Sequence, residues 1–428
     1  MALPRLLLLM TTRSYRASAF LDAAGRLRVP VTVGSDQAQA LSEAHPEGSL
    51  RLDFSSPHHA LPAIVRFAAE HPIGAVLAAD DDGVVLAALA AQALGLPHNP
   101  PDAVRCARDK LQMRETLARA GLPSPRFEAL PAGADPRAAG AAVGFPCVVK
   151  PLSLSASRGV MRADDSVGLA AAVRRLSTLL ERERPAESYA GQAETDGSSR
   201  ILVESFIPGV EVAVEGLLVN GVLEVLAVFD KPDALDGPFF EETIYVTPSR
   251  LPEARQRAVR ACTAETARAL GLTDGPVHAE LRVNEDGPWP VELAPRTIGG
   301  LCARALRFGE GVSLEELVLS VALGLPVASF RRESVASGVM MVPIPRRGIL
   351  RDVRGISAAR EIPGLEDVLI TIPIGQEVIP LPEGSRYLGF LFARAGTPAE
   401  VEDALRHAHS RLEFEIDPSP GAAGAVPG

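Results

Sequence analysis

Apolar and polar positions follow two different periods along the chain, and the change between them divides it. In the first 120 residues, short apolar runs are separated by stretches of helical period. Residues 5 to 10 read as a buried strand, 14 to 24 as a helix and 29 to 33 as a strand. Residues 58 to 70 then read as a helix, Ala75 to Ala79 as a strand and 84 to 94 as a helix. This alternation predicts βαβ units and a parallel sheet. One helix is expected from Asp102 to Ala120, stopped by Gly121 and Pro123. Asp80, Asp81, Asp82 and Gly83 fall where a strand ends and a helix begins, a place for binding groups and equally for helix caps. Capping is the expectation, because three adjacent acids at a helix N-terminus need no ligand to explain them.

From Phe145 the period shortens. PCVVKPLSLSASRGVMRADD reads as a strand carrying Lys150, a small polar loop and a second short strand. Such a loop brings backbone N–H groups and hydroxyls to phosphate oxygens while the lysine adds a point charge, although a plain polar hairpin reads the same way. A helix is expected at Ser166 to Arg182, and the polar stretch Arg184 to Arg200 reads as a mobile loop. In ILVESFIPGVEVAVEGLLVNGVLEVLAVFDKP, alternating strands are joined by PG and NG turns. Glu204, Glu211 and Glu215 interrupt these strands, either as outward-facing residues or as parts of a site. Glu241 and Glu242 precede another strand, and Pro252 opens a helix to Leu270. RTIGGLCARALRFGEGVSLEELVLSVALG predicts a glycine-bearing turn and two helices. Residues 338 to 416 predict a mixed module with strands near Val368 to Ile372 and Tyr387 to Arg394 and a helix from Pro398 to Arg411. The tail 417 to 428 reads as disordered.

Between these segments lies HAELRVNEDGPWPVELAPR, residues 278 to 296. A five-residue hairpin loop from Asn284 to Pro288 pairs Val283 with Trp289 and sets Glu280 opposite Glu292. Ala279, Leu281, Val283, Trp289, Val291 and Leu293 then form a core face, and His278, Glu280, Arg282 and Glu292 the other. Two carboxylates facing each other across a strand pair repel unless a proton, an arginine or a cation lies between them. Oxygen ligands of this kind suit magnesium, usually held by one or two carboxylates plus substrate phosphates, so the hairpin predicts a nucleotide with the metal. The bland alternative is a solvated hairpin whose glutamates pair with Arg282 and Arg296.

Composition narrows the setting. With 428 residues, 47% hydrophobic and 22% charged, the chain has an ordinary globular composition, enough for two to four domains. A formal net charge of −10 argues against nucleic-acid or anionic-membrane partners and favours small molecules. The four cysteines Cys106, Cys147, Cys262 and Cys302 form no CxxC, which fits a reducing cytoplasm rather than zinc or disulfides. Leu6 to Met10 is too short for a signal-peptide core and is followed by polar TTRSYR. No segment reaches the roughly 18 apolar residues of a membrane span; Val84 to Leu96 is broken by Gln92 and Gly95. No GxxxxGK[ST], HExxH or GxSxG occurs, which removes P-loop kinases, zincin proteases and serine hydrolases.

Taken in order, RDKLQMRETLARAGLPSPRF, VVKPLSLSASRGV, ILVESFIPGVEVAVEGL, GPVHAELRV and VELAPRTIGG make the chain resemble the ATP-grasp carboxylate–amine ligases, and within them the dipeptide-forming L-amino acid ligases. The resemblance implies an ATP-grasp fold, α/β and α+β: a Rossmann-like N-terminal α/β domain over 1–104, an ATP-grasp domain over 105–330 with a small lid subdomain at about 124–204, and a C-terminal mixed α+β domain over 331–416. It implies ATP and magnesium, with manganese as a substitute. Lys110 and Lys150 would contact the phosphates, and Ser155, Ser157 and Gly159 would lie in the loop that closes over them. Glu204, Phe206 and Ile207 match the segment that reads the adenine edge, and Glu211 the ribose hydroxyls. Glu280 and Glu292 would hold the metal, and Arg296 would stabilise the acyl phosphate and the tetrahedral species. The family often has asparagine two residues after the second metal glutamate; Ala294 stands there, as in the E-x-A-x-R pattern of the dipeptide-forming branch.

The resemblance further implies attack of a carboxylate on the γ-phosphate of ATP and displacement of phosphate by an amine, with small-molecule partners and a homodimer as family-level expectations. By position, Lys231, Glu242, Tyr245 and His278 would serve the substrate pocket, though for His278 a structural role fits equally. Gly299 and Gly300 would leave room for a bulky donor. Two other readings stay open: a ligase of purine or bicarbonate chemistry, and a nucleotide-binding protein without turnover.

Overall fold

The computed structural model describes residues 4–12, 14–37, 45, 47–183 and 200–418. The polar stretch read as a mobile loop falls at 184–199, outside the described residues apart from Arg200, and the tail does so from 419 on.

The N-terminal part follows the βαβ expectation. Strands β1 (Arg5–Met10), β2 (Val31–Ser35), β3 (Ser49–Arg51) and β4 (Ile73–Ala78) form a parallel sheet in the order β3-β2-β1-β4. Helices α1 (Ala17–Leu27), α2 (Pro57–Glu70) and α3 (Val84–Ala93) accompany it. Leu6 to Leu9 are fully buried, as an apolar run covered on both faces must be.

The single helix expected from Asp102 to Ala120 is two helices, α4 (Pro101–Arg108) and α5 (Lys110–Arg119). Asp109 breaks it: its backbone is extended and its carboxylate accepts the N–H groups of Leu111 and Gln112 at 2.9 and 3.0 Å, an N-cap that restarts the helix. The break sets Lys110 on the first turn of α5.

Strands β5 (Phe127–Pro131), β6 (Cys147–Pro151), β7 (Met161–Ala163) and β8 (Arg200–Ser205) make an antiparallel sheet in the order β5-β8-β6-β7, accompanied by α6 (Arg137–Val143) and α7 (Ser166–Glu183). The larger sheet begins with β9 (Val210–Val219), β10 (Val222–Lys231) and β11 (Ile244–Thr247). After α8 (Glu253–Ala269) come β12 (Gly275–Asn284) and β13 (Gly287–Ala294). Of the two helices expected next, one is a four-residue 3₁₀ turn at Cys302–Ala305; the other is α9 (Leu314–Ala322). The C-terminal module supplies β14 (Ala336–Val342), β15 (Gly348–Arg354), α10 (Ile356–Arg360), β16 (Leu365–Ile370), β17 (Glu377–Val378), β18 (Gly389–Ala395), α11 (Pro398–His409) and β19 (Glu413–Asp417). Of these, β14, β18 and β16 extend the large sheet, whose order is β13-β12-β9-β10-β11-β14-β18-β16.

Candidate active site

The hairpin at the centre of the sequence pattern pairs Glu280 with Glu292, as expected, but by another route. The turn has two residues, Glu285 and Asp286, and Val283 pairs with Pro288 rather than Trp289. Asp286 N–H donates to Asn284 Oδ1 at 2.9 Å, which closes the turn early. A bulge at Val291, between Pro290 and Glu292, restores the carboxylate pair. Val291 therefore leaves the core face and lines a cavity, while Ala279, Leu281, Val283 and Leu293 stay buried. Trp289 is only partly buried and donates to Asn284 Oδ1. Arg114 on α5 fixes the bulge by donating to the carbonyls of Pro290 and Val291 at 3.0 and 2.8 Å.

That cavity, of about 250 Å³, lies where the three sheets and the C-terminal module meet. Lys110, Lys150, Ser155 and Ser157 line it, as do Glu204, Phe206, Ile207 and Glu211. So do Glu242, Tyr245, His278, Glu280, Glu292, Arg296, Gly299 and Gly300. Gly159 and Lys231 do not. Gly159 has φ +74°, its N–H donates to Pro382 O at 2.8 Å, and a Cβ there would meet Leu176 at 2.7 Å, so it packs the loop between β6 and β7 against α7 and the C-terminal module. Ala156 and Ser157 adopt left-handed backbone, which turns the loop toward the cavity.

The lysine end is built on paired charge. Lys150 Nζ lies 2.7 Å from Glu204, whose other oxygen meets Arg114 at 2.6 Å. Burial alone would push the Glu204 carboxyl up, but the charges of Arg114 and Lys150 prevail and bring it down to about 2. Lys110 Nζ donates to Leu154 O at 2.9 Å and stands 3.6 Å from Glu292.

The cavity lining also gathers Glu211, Glu242 and Glu280, whose carboxylate oxygens lie within 4.8 Å of one another. Lys231 supports them from behind, at 2.8, 2.5 and 3.3 Å respectively. Burial disfavours its ammonium, yet the three carboxylates hold its pKa well above the ordinary value. Lys231 is thus a structural counter-charge. Arg282 holds Glu211 at 3.1 Å, and His278 bridges Glu215 and Glu280 at 3.2 and 3.5 Å.

Asp80, at the cap position of the turn after β4, makes no side-chain cap bond. Asp81 instead accepts from Arg296 at 3.0 Å and lies 3.4 Å from Arg108. Burial would raise the Asp81 carboxyl, but the two guanidiniums hold it below the usual range; burial would lower Arg296, and Asp81 lifts it instead. Glu215 is fully buried and accepts the Ile298 N–H at 3.0 Å. Sequence reasoning gave no role to Arg16 or Arg114, took Asp80 and Asp81 for caps and left Glu215 open between an outward-facing residue and a part of the site. Arg282 it set on the site face of the hairpin, where the structure has it line the cavity.

An ATP-grasp domain profile matches residues 143–305, an ATP-grasp N-terminal domain profile residues 21–98, and an L-amino acid ligase C-terminal domain 2 profile residues 340–417. A D-alanine–D-alanine ligase of Desulforudis audaxviator is 30% identical over 304 residues, 68% of this chain and 84% of the relative. The chain belongs to the ATP-grasp ligases, enzymes that form carbon–nitrogen bonds. Within them it is similar to the crystal structure of an L-amino acid ligase from Bacillus licheniformis, with a TM-score of 0.80 and 26% identity over 96% of this chain and 98% of that one. The alanine–anticapsin ligase of Bacillus subtilis (strain 168) is 26% identical over 251 residues, 55% of this chain and 50% of the relative. No described helix is long and apolar enough to cross a membrane.

Proposed function

We propose that the protein joins a carboxylate to an amine, at least one of them an amino acid, with ATP converted to ADP and phosphate through an acyl phosphate. The observation that carries this reading is the convergence on one cavity of two lysines, a facing carboxylate pair and a largely buried arginine. Phosphoryl transfer needs positioning and counter-charge more than covalent chemistry, and these residues supply both. Lys110 and Lys150 bind phosphate oxygens, and Ser155 and Ser157 cover them from the loop. Phe206 and Ile207 hold the adenine edge, Glu204 orients Lys150, and Glu211 faces the ribose.

Glu280 and Glu292 offer hard carboxylate oxygens on the cavity wall, a donor set that fits magnesium. When bound, magnesium neutralises phosphate charge and orients the oxygens. With alanine at 294, this chain would offer no third side-chain ligand there.

A carboxylate oxygen of the donor attacks the γ-phosphorus, ADP leaves with the electron pair of the bridging P–O bond, and Arg296 holds the resulting acyl phosphate. Its guanidinium, kept charged and oriented by Asp81, serves two oxygens at once. The neutral amine then attacks the acyl carbon, the C–O electron pair leaves with phosphate, and the nitrogen's extra proton goes to the departing phosphate. Glu242, Tyr245 and His278 line the substrate end.

Phosphate release from ATP and magnesium with pooled amino acids, followed by mass spectrometry, tests the reading. A product mass equal to two substrates minus water is expected. Phosphate release without any condensed product refutes amide formation from amino acids.

A further inference from the structure

The wall of the cavity contributed by the N-terminal sheet carries two charges that make no bond to each other. Arg16, between β1 and α1, is 5% exposed; its Nη1 donates to Thr297 O at 3.3 Å, and its Nη2 has no partner. Asp80, at the end of β4, lines the same cavity with its Oδ2 buried and unpartnered. Thr297 Oγ1, beside the carbonyl that Arg16 uses, is unpartnered as well. Among the described residues five buried side-chain atoms lack a partner, and three belong to these residues. Buried polar groups are normally satisfied, so this concentration, with Arg16 and Asp80 lining the cavity and Thr297 beside them in the chain segment that follows Arg296, points to bonds that a ligand completes. Burial pushes the Arg16 guanidinium down, helped by the like charge of Arg296, and pushes the Asp80 carboxyl up despite a hydrogen bond from Ser14.

The position identifies the ligand. Arg296 donates to the same Thr297 carbonyl at 3.0 Å, so the two guanidiniums flank one oxygen atom. On the ligase reading above, on which this inference rests, Arg296 holds the acyl group. An α-amino acid separates its nitrogen from its carboxylate by a single carbon, so a carboxylate on Arg16 leaves the amine next to that acyl group. The structure assigns Arg16 and Asp80 as the subsite of the amine substrate, an α-amino acid whose carboxylate is received by Arg16 Nη2 and whose ammonium is received by Asp80 Oδ2. Both are positioning residues: they set which amine is held and where.

The experiment has two parts. Wild-type enzyme with ATP, magnesium, pooled L-amino acids and hydroxylamine tests acyl-phosphate formation alone, read as hydroxamate. The subsite is tested by supplying glycine or glycinamide in large excess as acceptor and comparing products by mass. Wild type is expected to favour glycine by about tenfold or more, the scale of a hydrogen bond between charged partners. Arg16→Met should bring that ratio close to one through the KM of glycine, and Arg16→Lys should restore part of it. Asp80→Asn should raise the KM of glycine more than it lowers kcat. Equal use of glycinamide by wild type, or an unchanged ratio in Arg16→Met, overturns the assignment. If Arg16→Met does not fold, Arg16→Gln gives the same ratio test. Should no hydroxamate form, an amino acid as acyl donor is excluded, and calorimetry still decides the subsite. Pooled L-amino acids must then bind the AMP-PNP-loaded enzyme more tightly than their pooled amides, and Arg16→Gln must remove that preference; equal binding overturns it.

Discussion

Asp81 and Arg296 are 215 positions apart in the chain and 3.0 Å apart in space. The pair ties the end of a strand in the N-terminal sheet to the segment just after the carboxylate hairpin. Both side chains are largely buried, and Asp81 is shared between Arg296 and Arg108.

Asp81→Asn should therefore lower kcat roughly tenfold to a hundredfold, the cost of misplacing a reacting group by about an ångström. The KM for ATP should change little, because Lys110 and Lys150 are untouched. Steady-state kinetics of phosphate release check this; a wild-type kcat would show that Arg296 is held without Asp81.

Glu204 makes a second prediction, for stability. Its carboxyl sits at about 2 when folded against 4.5 as the ordinary value, which corresponds to about 3 kcal/mol. A depressed folded pKa stabilises above the unfolded value and is lost as pH falls toward the folded one. Urea denaturation should find Glu204→Gln less stable than wild type by about 3 kcal/mol at pH 7. The gap should close progressively between about pH 4.5 and pH 2. A pH-independent gap would contradict the ionic origin of the effect.

Glu292 behaves differently because it is a surface of the cavity rather than a support of the fold. Its side chain is 32% exposed and its ion pair with Lys110 spans 3.6 Å. Glu292→Gln should abolish turnover, with a loss of at least about a hundredfold, if it holds magnesium. The thermal melt should stay within about 2 °C of wild type, as for a substitution worth less than about 1 kcal/mol. Normal activity in this variant would refute the metal assignment.

What the sequence disclosed of this site follows from the range of the interactions. Glu280 and Glu292 were legible because a hairpin fixes its register locally, and the turn residues and alternation lie within twenty positions. Even there the bulge at Val291 was hidden, since its cause is Arg114 reaching the Pro290 and Val291 carbonyls from 176 and 177 positions away. Asp81 looked like a cap because its true partner is equally remote. Lys231 sat in the right neighbourhood by analogy, but only the fold reveals that it backs three carboxylates rather than facing a substrate. The βαβ order of the first 80 residues needed only local period, and it held.

The glycines after Arg296 give the last prediction, and the structure separates them. Gly300 has φ +60°, and a Cβ there would press on Phe390 at 3.1 Å. A tryptophan at 300 would therefore strain the backbone and the aromatic packing together, and a loss of activity would say little about substrate size. Gly299 also lines the cavity, has no such backbone restriction, and a Cβ on it meets nothing within 4 Å. Gly299→Leu should keep the fold and fill part of the donor space. Product mass spectra with pooled amino acids should then shift toward small donors, with bulky ones losing about tenfold or more in kcat/KM, the scale of a steric misfit of a few methylenes. Unchanged use of bulky donors by a folded Gly299→Leu variant would show that the donor lies elsewhere in the cavity.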